Sequence, residues 1–241
     1  MPLPKIDLPV YDFTIPSSGE VIKVRPFTVK EEKLLLMAIE SKAASDIIAT
    51  VKQVINNCVQ DNNIDVDKLP FFDIDYLFIF LRAKSVGEVA AVNLTCNNVL
   101  ENGDTCGHNF VTEVDVGNVE LVRYDGVTDD IKLGPASGVR MRYPNYGIMR
   151  KIEDLPEIDK KTHIIVSSID YIYDKTGMHS YKDYTTDELK DFVEGLTEEN
   201  YKKLEAYVDR FPTITGKISA DCPKCGFHHN VRYTEFYDFF T

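Results

Sequence analysis

The chain has 241 residues, 44% of them hydrophobic and 27% charged, a composition ordinary for a globular protein and enough for one large domain or two small ones. Its formal net charge of −12 argues against a non-specific reader of nucleic acid, which needs a positive field, and suits partners with basic faces. Residues 1–7 lack a basic stretch followed by an apolar one, so no signal peptide is expected. The longest apolar run, Phe71 to Leu81, is broken by Asp73 and Asp75 and is too short to span a bilayer. The expected setting is therefore a reducing cytoplasm, where paired cysteines are metal ligands more often than disulfides.

In chain order, Val10 to Ile15 and Val21 to Arg25 predict a hairpin turning at Pro16, Ser17, Ser18 and Gly19. Thr28 and Glu31 match a capping box for a helix reaching about Ser41. The unbroken apolar run Leu34 to Ile39 predicts that this helix is buried on several sides. A second helix, capped at Ser45 or Asp46, carries an apolar stripe of Ile47, Val51, Val54, Ile55 and Cys58. After a polar break at residues 61–67, a third runs from Phe71 to Ser85 with Ile74, Phe78 and Leu81 on one face and Gly87 ending it.

Residues 119–146 read as a small, turn-rich sheet, with Arg140 and Arg142 alternating against apolar neighbours. Ile158, Thr162, Ile165, Ile169 and Ile172, spaced four and three apart, predict one helix face ending at Lys175 to Gly177. Thr185 and Glu188 form a second capping box, for a helix stopped by Gly195. A last helix carries Tyr201, Leu204, Val208 and Phe211 and ends at Pro212.

Two stretches carry chemistry. Strand-like residues 89–94 lead into Cys96, and Cys106-Gly107 leads out into residues 110–116; residues 213–219 lead into Cys222, and Cys225-Gly226 leads out into residues 230–236. Two cysteine-tipped hairpins with converging tips would offer Cys96, Cys106, Cys222 and Cys225 to one tetrahedral Zn²⁺, a zinc ribbon with a long insertion between its halves. Such a closed site is structural, because four thiolates leave no position for water or substrate. The plainer alternative is five unrelated thiols, Cys58 among them. His108, His228 or His229 would be substitute ligands.

The other readings are weaker. A thiol–disulfide exchange site needs its first cysteine at a helix N-terminus, and a strand is predicted after Cys225. A nucleotide deaminase needs His-x-Glu and a proline before the cysteine pair, where this chain has Asp221. Lys224, Arg232 and the adjacent His228 and His229 make a slightly basic tip without a basic, aromatic stripe. No phosphate loop and no Ser/His/Asp constellation is visible. The aromatic, acidic residues 235–241 would either close the ribbon's core or dock into a partner.

The expected fold class is α+β: helical units around a split zinc-ribbon-like pair of β-hairpins, with an N-terminal hairpin. Its expected parts are residues 1–87 (hairpin and three helices), 88–118 with 212–241 (split ribbon), and 119–211 (inserted small sheet and helical block).

Four places give the chain a family likeness. They are Leu8-Pro9-Val10-Tyr11 with Ile15-Pro16-Ser17-Ser18-Gly19; Arg25-Pro26-Phe27-Thr28 through Lys33 with its Leu-rich helix; Phe211-Pro212 leading to Cys222-Pro223-Lys224-Cys225; and Phe239-Phe240. On these the chain resembles the baseplate hub and hub-assembly proteins of T-even-type contractile-tailed bacteriophages. The resemblance implies a non-enzymatic tail morphogenesis protein that contacts other hub and tail proteins, in a homo- or hetero-oligomer. It would act in the host cytoplasm during assembly, and reside in the virion baseplate if it is a structural subunit. A zinc-ribbon binding module, for nucleic acid or as a transcription-related adaptor, is the alternative from another class.

Overall fold

The computed structural model describes residues 6–61, 64–148, 152 and 155–234. In chain order its elements are β1 (Tyr11–Thr14), β2 (Val21–Val24), α1 (Val29–Ser41), α2 (Ala44–Cys58), α3 (Phe71–Val86), β3 (Val89–Thr95) and β4 (Asn109–Asp115). Then follow β5 (Glu120–Val122), β6 (Asp130–Gly134), β7 (Ser137–Met141), α4 (Glu157–Ser167), β8 (Ile169–Tyr173), β9 (Met178–Ser180), α5 (Thr186–Glu194), α6 (Glu198–Val208), β10 (Thr213–Asp221) and β11 (His228–Tyr233). The class is α+β with small antiparallel sheets, as expected. The chain divides into two compact units: Met1–Val66 with Phe72–Val122 and Thr213–Thr241, and Asp67–Phe71 with Arg123–Pro212.

In the first unit, β1 and β2 pair antiparallel around a turn in which Gly19 takes φ +74°. Alternation turns Phe13, Ile22 and Val24 inward, and Phe13 packs on the rings of Phe80 and Tyr76 of α3 at 5.3 and 5.7 Å. The turn is tied to the same helix: the Ser17 backbone N–H donates to Asp73 Oδ1 at 3.0 Å and its hydroxyl to Asp73 Oδ2. The predicted stripe of α2 is buried at Val51, Val54, Ile55 and Cys58, although Ala43 rather than Ser45 or Asp46 occupies the cap.

Burial of α1 and α3 departs from expectation. The Leu-rich run of α1 leaves Leu36 and Met37 exposed and buries only Leu35 and Ala38, with Glu31 buried in the turn before it. α3 instead is buried around its circumference, at Phe72, Ile74, Leu77, Phe78, Ile79 and Leu81, rather than on one face. A run of consecutive apolar residues marks a helix that can be buried all round; the neighbours decide whether it is.

The strands that flank the cysteines complete this unit. β3 and β4 pair from Val89↔Asp115 to Thr95↔Asn109, and β11, β10 and β5 form an antiparallel sheet in that order. Ala90, Val114, Val116 and Ile218 form a shared apolar cluster beneath them.

The second unit is a four-stranded antiparallel meander, β6-β7-β8-β9, with α4, α5 and α6. Val139, Met141, Ile165, Ile169, Leu189, Val193 and Leu204 form its core. Phe211, predicted as the last face residue of a helix, lies beyond α6 yet packs on Tyr207 and Tyr143 at 5.4 and 5.8 Å.

The single helix face predicted from Ile158 to Ile172 is wrong in its second half. α4 stops at Ser167, Ser168 caps it with its N–H on the carbonyls of Ile164 and Ile165, and Ile169 to Tyr173 form β8. The β-branched and aromatic residues of Ile169-Asp170-Tyr171-Ile172-Tyr173 suit a strand, and Ile169 pairs with Met141 of β7. Lys175 to Gly177 therefore turns a hairpin, with Asp174 Oδ1 accepting the Thr176 and Gly177 amides.

The capping box of α5 is present as predicted: the Glu188 N–H donates to the Thr185 hydroxyl at 3.2 Å, and the Thr185 N–H to the Glu188 carboxylate at 2.8 Å. Thr185→Ala is expected to lower stability by about 1 kcal/mol in urea denaturation, while Thr185→Ser should be near neutral.

Candidate metal centre

The two cysteine turns are built alike. The Cys96 N–H donates to the His108 carbonyl at 2.8 Å and the Gly107 N–H returns to the Cys96 carbonyl at 3.0 Å. In the second turn the Cys222 N–H donates to the Phe227 carbonyl at 2.9 Å and the Gly226 N–H to the Cys222 carbonyl at 2.8 Å. Gly107 and Gly226 stand at φ +60° and +69°, the left-handed region where a side chain is strained, which explains a glycine after the second cysteine of each pair. The long spacing between Cys96 and Cys106 is taken up by a small hairpin of its own. The Cys106 N–H donates to the Asn98 carbonyl at 2.8 Å, and Val99 pairs with Thr105, so both ends of the first turn return to one place.

Cys96, Cys106, Cys222 and Cys225 thereby converge, their sulfurs all within 4.8 Å of one another. Cys96 Sγ lies 3.6 Å from Cys225 Sγ, and Cys106 Sγ 4.0 Å from Cys222 Sγ. A disulfide would bring a pair to about 2.0 Å, whereas a tetrahedron of thiolates on bonds of about 2.3 Å has an edge of about 3.8 Å. The quartet is thus reduced and spaced to take a tetrahedral ion. Cys96, Cys106 and Cys222 are buried, with Leu100 and Phe110 packed against them, while Cys225 is partly exposed.

Burial pushes the Cys96 thiol up to about 12, against the pull of the Asn98 backbone N–H, whereas the Phe227 N–H on Cys225 draws that thiol down to about 7. Cys225 also receives the Asn98 side-chain amide at 3.7 Å. The pocket therefore favours a thiolate at Cys225 and opposes one at Cys96 that no cation compensates.

Among the described residues none of the three histidines joins the quartet. His108 stacks on Phe110, and His229 packs on Phe227 and Phe110 at 4.9 and 5.8 Å. Cys58 lies apart, its sulfur 3.8 Å from an Arg25 nitrogen and its thiol pushed up to about 12, chiefly by burial. After Cys225 the chain enters β11 and not a helix, so the dipole that activates a redox Cys-x-x-Cys pair is missing.

One constellation went unseen in the sequence. Ser219 Oγ lies 3.3 Å from His228 Nε2, and His228 Nδ1 lies 2.7 Å from Asp221 Oδ1. The order matches a hydrolytic triad, but the histidine and aspartate side chains are 58% and 73% exposed. Catalysis by such a triad needs an enclosed, water-poor oxyanion site. At this exposure the three side chains act as a surface brace across the paired residues Asp221 and His228.

The molecule is thus an α+β protein whose first unit closes on a four-cysteine clasp. A family model described as T4 bacteriophage base plate protein matches residues 8–241, and the chain belongs to that family. No curated protein and no solved structure matches it. Among the described residues no helix is long and apolar enough to cross a membrane.

Proposed function

We propose that this chain is a non-enzymatic tail morphogenesis protein of the baseplate's central hub, as a hub subunit or as a factor in hub assembly. It acts by contacting other hub and tail proteins in the host cytoplasm, and Cys96, Cys106, Cys222 and Cys225 hold a structural Zn²⁺. The family match over residues 8–241 carries this reading, because it spans both units and all four cysteines. The cysteine geometry agrees with it: four thiolates complete a tetrahedral coordination shell, so the metal braces the fold rather than performing chemistry. When bound, the ion supplies the cation that lets all four sulfurs, three of them on buried cysteines, ionise together.

The test is affinity purification from infected cells, paired with mass spectrometry of purified tails. Recovery with other hub proteins is expected, and presence in finished tails assigns a resident subunit while absence from them assigns an assembly factor. A chain that recovers no tail protein and is missing from tails would overturn the reading.

A further inference from the structure

We propose that the second unit carries an oxyanion-binding cleft, centred on Arg142, that takes a phosphate or carboxylate head group attached to an apolar body. The cleft has a volume of about 510 Å³ and lies among the end of β7, the C-terminal half of α4, the turn Tyr181–Asp183 and the start of α5. Arg142, His163 and Lys182 line it, and among its described lining residues there is no carboxylate. In a chain with 39 acidic and 27 basic residues, that is the reverse of the average surface.

Arg142 is set in place before any ligand arrives. Its backbone N–H donates to the Ser168 carbonyl at 2.7 Å, its Nε to the Ile169 carbonyl at 3.0 Å, and its guanidinium carbon lies 4.1 Å from the centre of the Tyr181 ring. The two terminal nitrogens make no hydrogen bond among the described residues, leaving the edge that binds carboxylate or phosphate in a two-point fork. Arg142 also borders a neighbouring cleft holding Asp129 and Asp170, but Asp129 is bound by Arg140 at 2.6 Å and Asp170 forms no ion pair with Arg142. Glu188, near the cleft's rim in sequence, is turned back onto the Thr185 amide and hydroxyl.

Lys182 and His163 add charge and a ring nitrogen on the same wall, and Ser167 and Thr186 add hydroxyls. Ile148, Val166 and Leu189 supply an apolar floor. A fixed guanidinium, an exposed ammonium and an apolar floor suit one amphiphilic acid better than a polyanion, which the chain's overall charge repels. The inference rests on this lining alone and stands whether or not the hub reading holds.

The experiment is an NMR titration of the ¹⁵N-labelled full chain with inorganic phosphate and, separately, succinate, with ionic strength held constant by sodium chloride. Saturable shifts are expected at the Arg142 Nε–H and at the Ser167 and Thr186 amides. Arg142→Lys, which keeps the charge and loses the fork, and Lys182→Gln, at an exposed position, should each weaken binding about tenfold. Tighter binding of phosphate assigns a phosphoryl head group, and of succinate a carboxylate. Shifts that do not saturate, that spread over basic residues generally, or that persist unchanged in both variants would overturn the proposal.

Discussion

On the proposed zinc site, replacing Cys222 with serine is expected to abolish zinc binding and to unfold the strands around the quartet, the largest single-residue effect expected in the chain. Cys222 is buried, its sulfur 4.0 Å from that of Cys106, and a serine there would leave three thiols around a vacated corner. Hydroxyl oxygen is a poor ligand for this ion, and structural zinc in finger peptides contributes about 10–16 kcal/mol at neutral pH. Larger units keep part of their packing without the metal, so a loss of several kcal/mol and a fall in Tm on the order of 10 °C are expected. Elemental analysis of metal-replete wild-type protein should give about one zinc per chain, and Cys222→Ser less than half of that. Cys58→Ser is the control: Cys58 is just as buried but outside the quartet, so that variant should lose stability and keep its zinc. Wild-type protein freed of metal that keeps the amide protection of β3, β4, β10 and β11 would refute a structural role for the ion.

The convergence of the four cysteines was legible in sequence for a specific reason. Thiols are rare and their ligand geometry is narrow, so four cysteines, each at the end of a strand-like run and two of them followed by glycine, leave little freedom for where they meet. Capping boxes at Thr28–Glu31 and Thr185–Glu188 were equally readable, since the pairing is local. What escaped depends on partners distant in sequence. Ile169 and Ile172 satisfy a helical spacing, and only pairing with Val139 and Met141 of β7 makes them a strand. The contrast between α1 and α3 lies in what surrounds each helix, which periodicity does not encode. Ser219, Asp221 and His228 align because β10 and β11 pair in one register, with Asp221 opposite His228; a slip of one residue would separate them. Arg142 was read as one of two arginines on a strand face, and the carbonyls of Ser168 and Ile169 that fix it come from a segment predicted as helix.

Glu31 shows the same limit, and it yields the second large expected effect. The capping pattern predicts its bond to the Thr28 N–H, found at 2.7 Å, but not that Arg25 closes on it with two nitrogens at 2.8 and 3.0 Å. Arg25 in turn donates to the Pro26 carbonyl at 2.9 Å, so one buried carboxylate holds the end of the hairpin to the first turn of α1. The Arg25 guanidinium, outweighing burial, and then the Thr28 bonds draw the Glu31 carboxyl from an ordinary 4.5 down to about 2.

The sign follows from proton binding. Between these values the unfolded chain takes up a proton that the folded chain refuses, so the stabilisation is complete above pH 4.5 and is lost as the pH falls toward 2. A shift of that size corresponds to about 3 kcal/mol. Glu31→Gln keeps an oxygen for the Thr28 amide but leaves the guanidinium uncompensated. It is expected to cost about 3 kcal/mol at pH 7, the lower end for breaking a buried pair, because the Arg25 side chain is 20% exposed. Urea denaturation at pH 7 and pH 3 separates the terms: the wild type should lose much of its margin over the variant at the lower pH. A variant within about 1 kcal/mol of wild type at pH 7 would mean that the pair is screened and holds nothing. Replacing both partners, as Arg25→Met with Glu31→Leu, should recover most of the loss, since the cost lies in the charge left alone and not in the absence of the pair.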